Sequence, residues 1–336
     1  MKKNFFKILQ FIFFLALGVF LFYKVYQNVD IDELWIALKS VNYFWVILSF
    51  VMALFSHLFR TLRWQMLIEP LGKKPRFINT YLSVLVLYLA NFALPRMGEV
   101  SRCGLIKKYE GIPFTKLLGT VLVERSVDFI MLVLIFLFVF FTQFNVLQRF
   151  IENNPEINGS FANTLSSSIF YLYLGGAVLA VILFYQIIRI RFPNSWLFRK
   201  IKKFIKDISE GIRTIMNMKR KWLFIFYTLM VYITYFFMTW VVFFGFDFSS
   251  DLSPNVALTL LVMGSIGIIV VQGGIGAYHF LVVETLFIYG IDKLDGQVFA
   301  LVMHGLNTLG QVIFGFLALI IFPIYNKKLK QNQALK

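Results

Sequence analysis

Six long apolar segments dominate this sequence, and their length decides what kind of protein it can form. They cover residues 5–23, 43–59, 121–141, 169–188, 222–244 and 298–322. A helix needs about 20 apolar residues to cross the hydrocarbon core of a bilayer. The composition agrees, because 59% of the residues are hydrophobic and only 15% are charged, whereas soluble domains carry roughly 25% charged residues. The sequence therefore predicts an all-α polytopic membrane protein with six full spans.

Two further apolar segments do not read as simple spans. Residues 77–94 stop at Pro95, and residues 256–271 are separated from 277–291 by a short glycine-rich stretch. The loops on both sides of 77–94 are basic, so the positive-inside rule places both in the cytoplasm, and one crossing cannot join them. We therefore expect two re-entrant hairpins that enter from opposite faces of the membrane. The alternative is seven to nine plain transmembrane helices.

The distribution of charge predicts the orientation of the chain. Basic residues collect in the N-terminus, loops 60–79, 96–116 and 189–221, and the C-terminus, whereas the other loops are weakly acidic. This pattern predicts a protein of the cell (inner) membrane with both termini on the cytoplasmic side. Because topology accounts for the net charge of +16, no nucleic-acid partner is expected.

The order of span, span, hairpin and span occurs twice. It covers residues 1–142 and 169–325, and the two halves begin on opposite sides of the membrane. That layout is typical of inverted-topology repeats, whose broken helices meet at the substrate site. We interpret residues 1–336 as a single transmembrane domain of two inverted halves. The connector 191–221 has apolar residues at helical spacing among basic ones, which predicts an amphipathic helix on the anionic inner leaflet.

Polar residues at membrane depth are the candidate functional residues, since an ionisable group there costs about 2.5–3.5 kcal/mol on insertion scales. In the first half they are Arg60, Arg63, Asn91, Pro95, Arg96, Gly98, Glu99, Arg102, Glu124, Arg125 and Asp128. Arginines outnumber acids in this set, and the planar guanidinium fork suits a phosphate. The pattern predicts an anionic ligand. The competing interpretations are an ordinary ion pair in a cytoplasmic loop and a cluster of interfacial anchors.

In the second half the candidates surround the glycine-rich stretch and continue into the last span. They are Gly273, Gly274, Gly276, His279, Glu284, His304 and Asn307. Exposed amides between glycines can bind an anion, although hydrogen bonding between helices also explains a polar stripe on the last span. One cysteine and three histidines exclude a disulfide framework and a His-rich metal site. We expect no metal and no cofactor.

Four motifs occur in order along the chain: Arg60-x-x-Arg63-Trp64, Asn91-x-x-Leu94-Pro95-x-x-Gly98-Glu99-x-x-Arg102, Glu124-Arg125-x-x-Asp128 and Gly273-Gly274-Ile275-Gly276. Together they resemble the flippase-like integral membrane family, which includes the transmembrane flippase region of lysylphosphatidylglycerol synthases. The resemblance implies a protein that moves a phospholipid or polyprenyl-linked lipid between leaflets. The family often has proline before the late glycines and glutamate after them, where this chain has Gln272 and His279.

The resulting expectation is a lipid flippase or translocase and not an enzyme. Its partners would be membrane lipids, either an anionic phospholipid or a lipid-linked sugar, with a separate lipid-modifying enzyme as a candidate partner. The aminoacyl-transfer domain of the synthases is not in this sequence, so we expect no lysyl transfer. One alternative is a membrane glycosyltransferase that uses Asp30 and Asp32, although Asp30 and Glu33 also have the spacing of a helix cap. The other alternative is a small-solute transporter.

Overall fold

The protein is all-helical in a computed structural model that describes the backbone of residues 2–94, 97–153 and 168–334. These residues form twelve α-helices and no strand, which confirms the predicted fold class. The helices are α1 Lys2–Tyr26, α2 Ile31–Ser40, α3 Tyr43–Ile68, α4 Phe77–Ala93, α5 Met97–Glu110, α6 Phe114–Asn153, α7 Ser168–Arg191, α8 Trp196–Met216, α9 Lys221–Phe243, α10 Pro254–Val270, α11 Ala277–Ile288 and α12 Lys293–Ala334.

Several of these helices have the length and composition of membrane spans. Four are long and apolar enough to cross a bilayer, and they cover Tyr43–Leu71, Phe114–Val146, Lys221–Phe243 and Lys293–Lys328. Shorter apolar helices cover Phe13–Tyr26, Phe77–Phe92, Pro254–Val270 and Ala277–Ile288. Three of the shorter helices are limbs of the predicted hairpins. Each of these helices is too short to span a hydrocarbon core of about 30 Å by itself.

The first hairpin forms where the sequence predicted a break. Helix α4 ends at Ala93 and α5 begins at Met97, while Pro95 and Arg96 lie outside the described residues. The N–H of Gly98 donates to Oδ1 of Asn91 across the turn at 2.8 Å. Further along, Leu105 and Tyr109 of α5 pack against the cluster of Leu82, Leu85, Val86, Ala318 and Phe322. Helix α5 therefore runs back along α4.

The second hairpin turns on glycines. A short 3-10 turn, Gln272–Gly274, joins α10 to α11. Gly273, Gly274 and Gly276 have φ angles of 70°, 76° and 79°, a region that side chains disfavour. Gly267 of α10 lies against the backbone of Tyr278, where an added Cβ would come within 2.7 Å. The two limbs therefore pack closely in opposite directions.

One predicted boundary was wrong. We expected the second span to end at residue 59 and the following arginines to lie in a loop, but α3 continues to Ile68. Trp64 and Ile68 are fully buried, so apolar packing continues on the same helix beyond the arginines. The helix stops just before Pro70, which cannot donate a backbone hydrogen bond. Arg60 and Arg63 are therefore helix residues and not loop residues.

The helices form two compact units, residues 1–121 with 219–336 and residues 122–218. In the first unit, an apolar core joins five helices, with Val46, Phe243, Leu260, Val282 and Phe299 among its members. The inverted halves 1–142 and 169–325 stay a prediction.

In the second unit, the expected amphipathic connector forms as α8 and packs on α6. The ring of Phe204 meets that of Phe129 edge to face at 5.3 Å, and an added Cβ on Gly211 would lie 3.0 Å from the side chain of Ser126. The place of α8 on the inner leaflet stays a prediction.

The helix start that the spacing of Asp30 and Glu33 indicates is also present. Helix α2 begins after Asp30, whose Oδ1 accepts from the N–H groups of Asp32 at 2.7 Å and Glu33 at 3.4 Å. This bonding identifies Asp30 as the N-cap, which satisfies backbone donors that would otherwise have no partner in the helix.

Candidate functional site

Among the described residues of the first unit, three arginines are buried. Arg60 and Arg63 lie one turn apart on α3 and are 7% and 0% exposed, and Arg102 on α5 is 1% exposed. Long cationic side chains are almost never buried this completely unless they are paired or hydrogen-bonded. We refer to these arginines, together with Trp64, Tyr88 and Tyr235, as the arginine site.

Trp64 fixes the position of Arg102. The guanidinium carbon of Arg102 lies 4.3 Å from the centroid of the Trp64 ring, which is a close cation–π contact. Nε1 of Trp64 donates to Oγ1 of Thr120 at 2.9 Å, and the Thr120 hydroxyl donates to the carbonyl of Leu117 at 2.7 Å. The position of the Arg102 guanidinium therefore depends on contacts from three helices, which are α3, α5 and the start of α6.

Two tyrosine side chains lie close to the guanidinium of Arg60. Its Nη2 donates to the hydroxyl of Tyr235 on α9 at 3.5 Å, and its guanidinium carbon is 6.0 Å from the ring of Tyr88 on α4. The two tyrosine hydroxyls are 3.5 Å apart, and the ring of His57 lies 4.3 Å from that of Tyr88. Guanidinium and hydroxyl donors therefore converge from three helices, an arrangement suited to oxygen acceptors.

The polar residues of the first hairpin divide into two roles. Asn91 and Gly98 close the turn through their hydrogen bond, and an added Cβ on Gly98 would collide with the carbonyl of Leu87. Glu99 is half-buried and lies one turn before Arg102 on α5, so the two side chains share a helix face. Asn91 and Gly98 thus shape the hairpin that carries Glu99 and Arg102.

The predicted acids of α6 belong to the second unit. Glu124 is 1% exposed, whereas Asp128, four residues later on the same helix face, is half-buried and Arg125 is exposed. The sequence predicted Glu124 and Asp128 at membrane depth. Helix α6 begins at Phe114, so both acids are helix residues, and their depth in the membrane stays a prediction.

The tip of the second hairpin contains two histidines. Nε2 of His304 on α12 bonds to the carbonyl of Gly273 at 2.7 Å. Nδ1 of His279 accepts from the N–H of Gly276 at 3.4 Å. An added Cβ on Gly273 would lie 3.9 Å from the ring of Phe92 near the end of α4. The structure therefore brings the two hairpin tips close together within the first unit.

Two predicted residues bond to partners outside this tip. Glu284 is paired with Lys293, with 3.5 Å between Oε1 and Nζ, and it is two helical turns from the start of α11. Asn307 accepts a hydrogen bond from Gln311 of its own helix at 3.3 Å. Of the polar stripe on α12, His304 is the residue bonded to the hairpin.

Sequence reasoning missed several residues that build these contacts. Tyr88 and Tyr235 were not among the predicted residues, although a buried tyrosine hydroxyl in a span usually has a hydrogen-bond partner, and that signal was available. Thr120 had no signal of its own. Gly18 of α1 approaches the second tip, and an added Cβ there would be 2.7 Å from the carbonyl of Ile275.

Comparisons with known proteins agree with the motifs. The model of the family described as "Lysylphosphatidylglycerol synthase TM region" matches residues 8–315. A UPF0104 membrane protein of Methanocaldococcus jannaschii is 24% identical over 334 residues, which cover 95% of this chain and 95% of that protein. No solved structure matches the chain. The matched region contains all four motifs, so this multi-pass membrane protein belongs to the family of the lysylphosphatidylglycerol synthase transmembrane region.

Proposed function

We propose that this chain moves a phosphate-bearing lipid between the two leaflets of the cell membrane, with both of its termini in the cytoplasm. The lipid is an anionic phospholipid or a polyprenyl-phosphate-linked lipid. The observation that carries the proposal is the burial of Arg60, Arg63 and Arg102 in a membrane protein, beside a hairpin whose first helix ends at Ala93 and whose second begins at Met97.

The chemistry of the arginine site suits a phosphate. A guanidinium offers a planar pair of N–H donors that matches two phosphate oxygens. Arg102 is held against the Trp64 ring, so little side-chain freedom remains to be lost when a ligand binds. The hydroxyl of Tyr235 lies next to Arg60 and adds a donor for a third oxygen.

The hairpins provide elements that can move. Helix breaks at membrane depth are tolerated where protein or a wet cavity surrounds them, and transporters use them at substrate sites. Both tips lie in the first unit, with Gly273 next to Phe92. In this mechanism the arginine site holds the headgroup, the acyl chains remain in the bilayer, and displacement of a hairpin exposes the headgroup to one leaflet at a time. A separate enzyme would supply or modify the lipid.

The glycosyltransferase alternative depends on Asp30 and Asp32 as catalytic acids. The carboxylate of Asp30 caps α2, which accounts for that residue without catalysis. Within the part of the chain that the structure describes, no group of three or more His, Cys, Asp or Glu side chains could hold a metal ion. The balance of these observations favours lipid movement over sugar transfer.

The test is a translocation assay with the full-length protein in proteoliposomes. A headgroup-labelled phosphatidylglycerol and a labelled polyprenyl phosphate are used separately, and the rate at which each label changes leaflet is measured. We expect Arg102→Ala and Glu99→Ala to reduce the rate to that of protein-free vesicles. The matched control is Arg213→Ala, at an exposed arginine of α8, which should retain the wild-type rate.

Three results would count against the proposal. Wild-type rates in both Arg102→Ala and Glu99→Ala would remove the arginine site from the mechanism. Failure of the wild-type protein to move either lipid, together with uptake of a water-soluble anion, would favour the solute transporter. Sugar transfer that is lost in Asp32→Asn would favour the glycosyltransferase.

A further inference from the structure

We propose that His279 and His304 form a proton-binding pair that releases the tip of the second hairpin when it becomes charged. This inference rests on the proposed function only for its last step, which is that proton binding then controls lipid movement. The tip itself is a feature of the fold, and its response to protons can be measured without any lipid.

The two histidines are close to one another and to the turn. Their ring centroids are 4.8 Å apart with an interplanar angle of 68°. His279 is 2% exposed and lies at the third position of α11, while His304 comes from α12. Each ring bonds to a different backbone group of the same turn, His304 to Gly273 and His279 to Gly276.

These bonds assign the protons. A carbonyl oxygen only accepts, so His304 must donate to Gly273 from Nε2. A backbone N–H only donates, so Nδ1 of His279 is the acceptor of the bond from Gly276, and the neutral ring of His279 carries its proton on Nε2. A further proton on Nδ1 of His304 would leave its bond intact. A further proton on Nδ1 of His279 would convert the acceptor into a donor and break the bond to Gly276.

The surroundings offer little to balance a second positive charge. From α1, Phe22 and Tyr26 face His279 with ring centroids at 5.1 Å and 5.8 Å. From α11, Tyr278 lies 6.0 Å from His279 and 4.9 Å from His304. The titratable groups facing the pair are thus two tyrosines, which are ordinarily neutral. Among the described side chains, no acid forms an ion pair with either imidazole.

A proton on the pair therefore has a structural effect. Two charged imidazoles at this separation repel each other, so a proton on one ring opposes a second proton on the other, and the turn changes only when His279 is charged. When His279 is charged, the N–H of Gly276 loses its acceptor and a cation stands at the N-terminal end of α11, where the helix dipole opposes it. Gly276 also lies directly against Gly18 of α1, so release of this turn loosens the contact between α1 and the hairpin.

The experiment is hydrogen–deuterium exchange of the full-length protein in nanodiscs between pH 5 and pH 8. The exchange of the amides at 276–280 is corrected for the intrinsic effect of pH on each amide. We expect the protection of these amides to fall as the pH is lowered, by up to about tenfold per pH unit, as linkage to one proton allows. His279→Gln should abolish this dependence, because glutamine at the third helical position can accept from the N-cap N–H without titrating.

The third histidine provides the matched control. His57→Gln on α3 should leave the pH dependence at 276–280 unchanged. His304→Gln keeps a donor for the Gly273 carbonyl and leaves a single imidazole. The pH at which the protection of amides 276–280 falls should therefore change. This variant also tests the pair if His279→Gln does not fold.

Protection that is independent of pH in the wild-type protein would overturn the proposal, and so would a step that persists in His279→Gln or does not move in His304→Gln. The translocation assay separates this inference from the proposed function. A pH-dependent tip in a protein that moves neither lipid would leave the proton-binding pair standing and remove the flippase. A pH-independent tip in a protein that moves lipid would remove the proton-binding pair and leave the flippase standing.

Discussion

At the scale of single residues, the first hairpin leaves no room for a side chain at Gly98. An added Cβ there would collide with the Leu87 carbonyl and come within 2.6 Å of the Asn91 side chain. We expect Gly98→Ala to destabilise the protein by about 1–3 kcal/mol, the usual cost of overpacking. The measurement is thermal unfolding in detergent or nanodiscs.

Gly104 on the same helix is the matched control. Nothing lies within 4 Å of a Cβ added at this position, and alanine is favoured over glycine inside a helix by about 0.5–1 kcal/mol. Gly104→Ala should therefore leave stability equal or slightly higher. Equal melting temperatures for the two variants would show that the close packing at Gly98 is wrong.

The bond between Trp64 and Thr120 makes a second prediction at this scale. Trp64→Phe keeps an aromatic face for Arg102 but loses the N–H that donates to Thr120. Thr120→Val loses the acceptor with little change in shape. Each change should cost about 1 kcal/mol of unfolding free energy. The two costs should not add in the double variant, because both remove the same bond. Additive losses would mean that the bond does not form.

At the scale of helices, a buried amide pair joins α4 to α12. Nδ2 of Asn79 donates to Oδ1 of Asn326 at 3.0 Å, and Nδ2 of Asn326 donates to Oδ1 of Asn79 at 2.8 Å. Asn79 also donates to Glu110 at the end of α5 at 2.5 Å. This network therefore fixes the ends of the first hairpin that are remote from its tip.

Asn326→Ala should destabilise the protein by about 1–3 kcal/mol, since it leaves part of the buried Asn79 amide without its partner. Asn307→Ala is the comparison, because Asn307 bonds within its own helix and is half-buried, so its loss should be much smaller. Unfolding monitored by tryptophan fluorescence gives both values. A similar loss in the two variants would contradict the role of the amide pair.

The helices also show what a sequence of this kind can and cannot predict. Apolar run length and the basic loops predicted the spans, and Pro95 and the late glycines predicted both breaks, because these are local or periodic properties. The true end of α3 was missed because Arg60 and Arg63 looked like loop residues. Arg60 bonds to Tyr235 of α9, and such contacts between distant segments leave no periodic signal.

At the scale of the whole molecule, the expectation to test is that both hairpin tips lie in the membrane interior. Single cysteines at Met97 and Ile275, in a Cys103→Ser background, should resist a membrane-impermeant thiol reagent. Cysteines at Lys73 and Asp251 should react from opposite sides, since the sequence predicts them in a cytoplasmic and an outward loop. Free labelling of both tips from bulk water would mean that neither hairpin is re-entrant.

The proposed role of the arginine site is to bind a lipid phosphate. The most direct measurement is the composition of the lipids that remain with the protein when it is extracted in native nanodiscs and compared with the surrounding membrane. We predict enrichment of one phosphate-bearing lipid class with the wild-type protein and with Arg213→Gln, and its loss in Arg63→Gln with Arg102→Gln. A lipid composition equal to that of the bulk membrane, unchanged by the double substitution, would contradict the account.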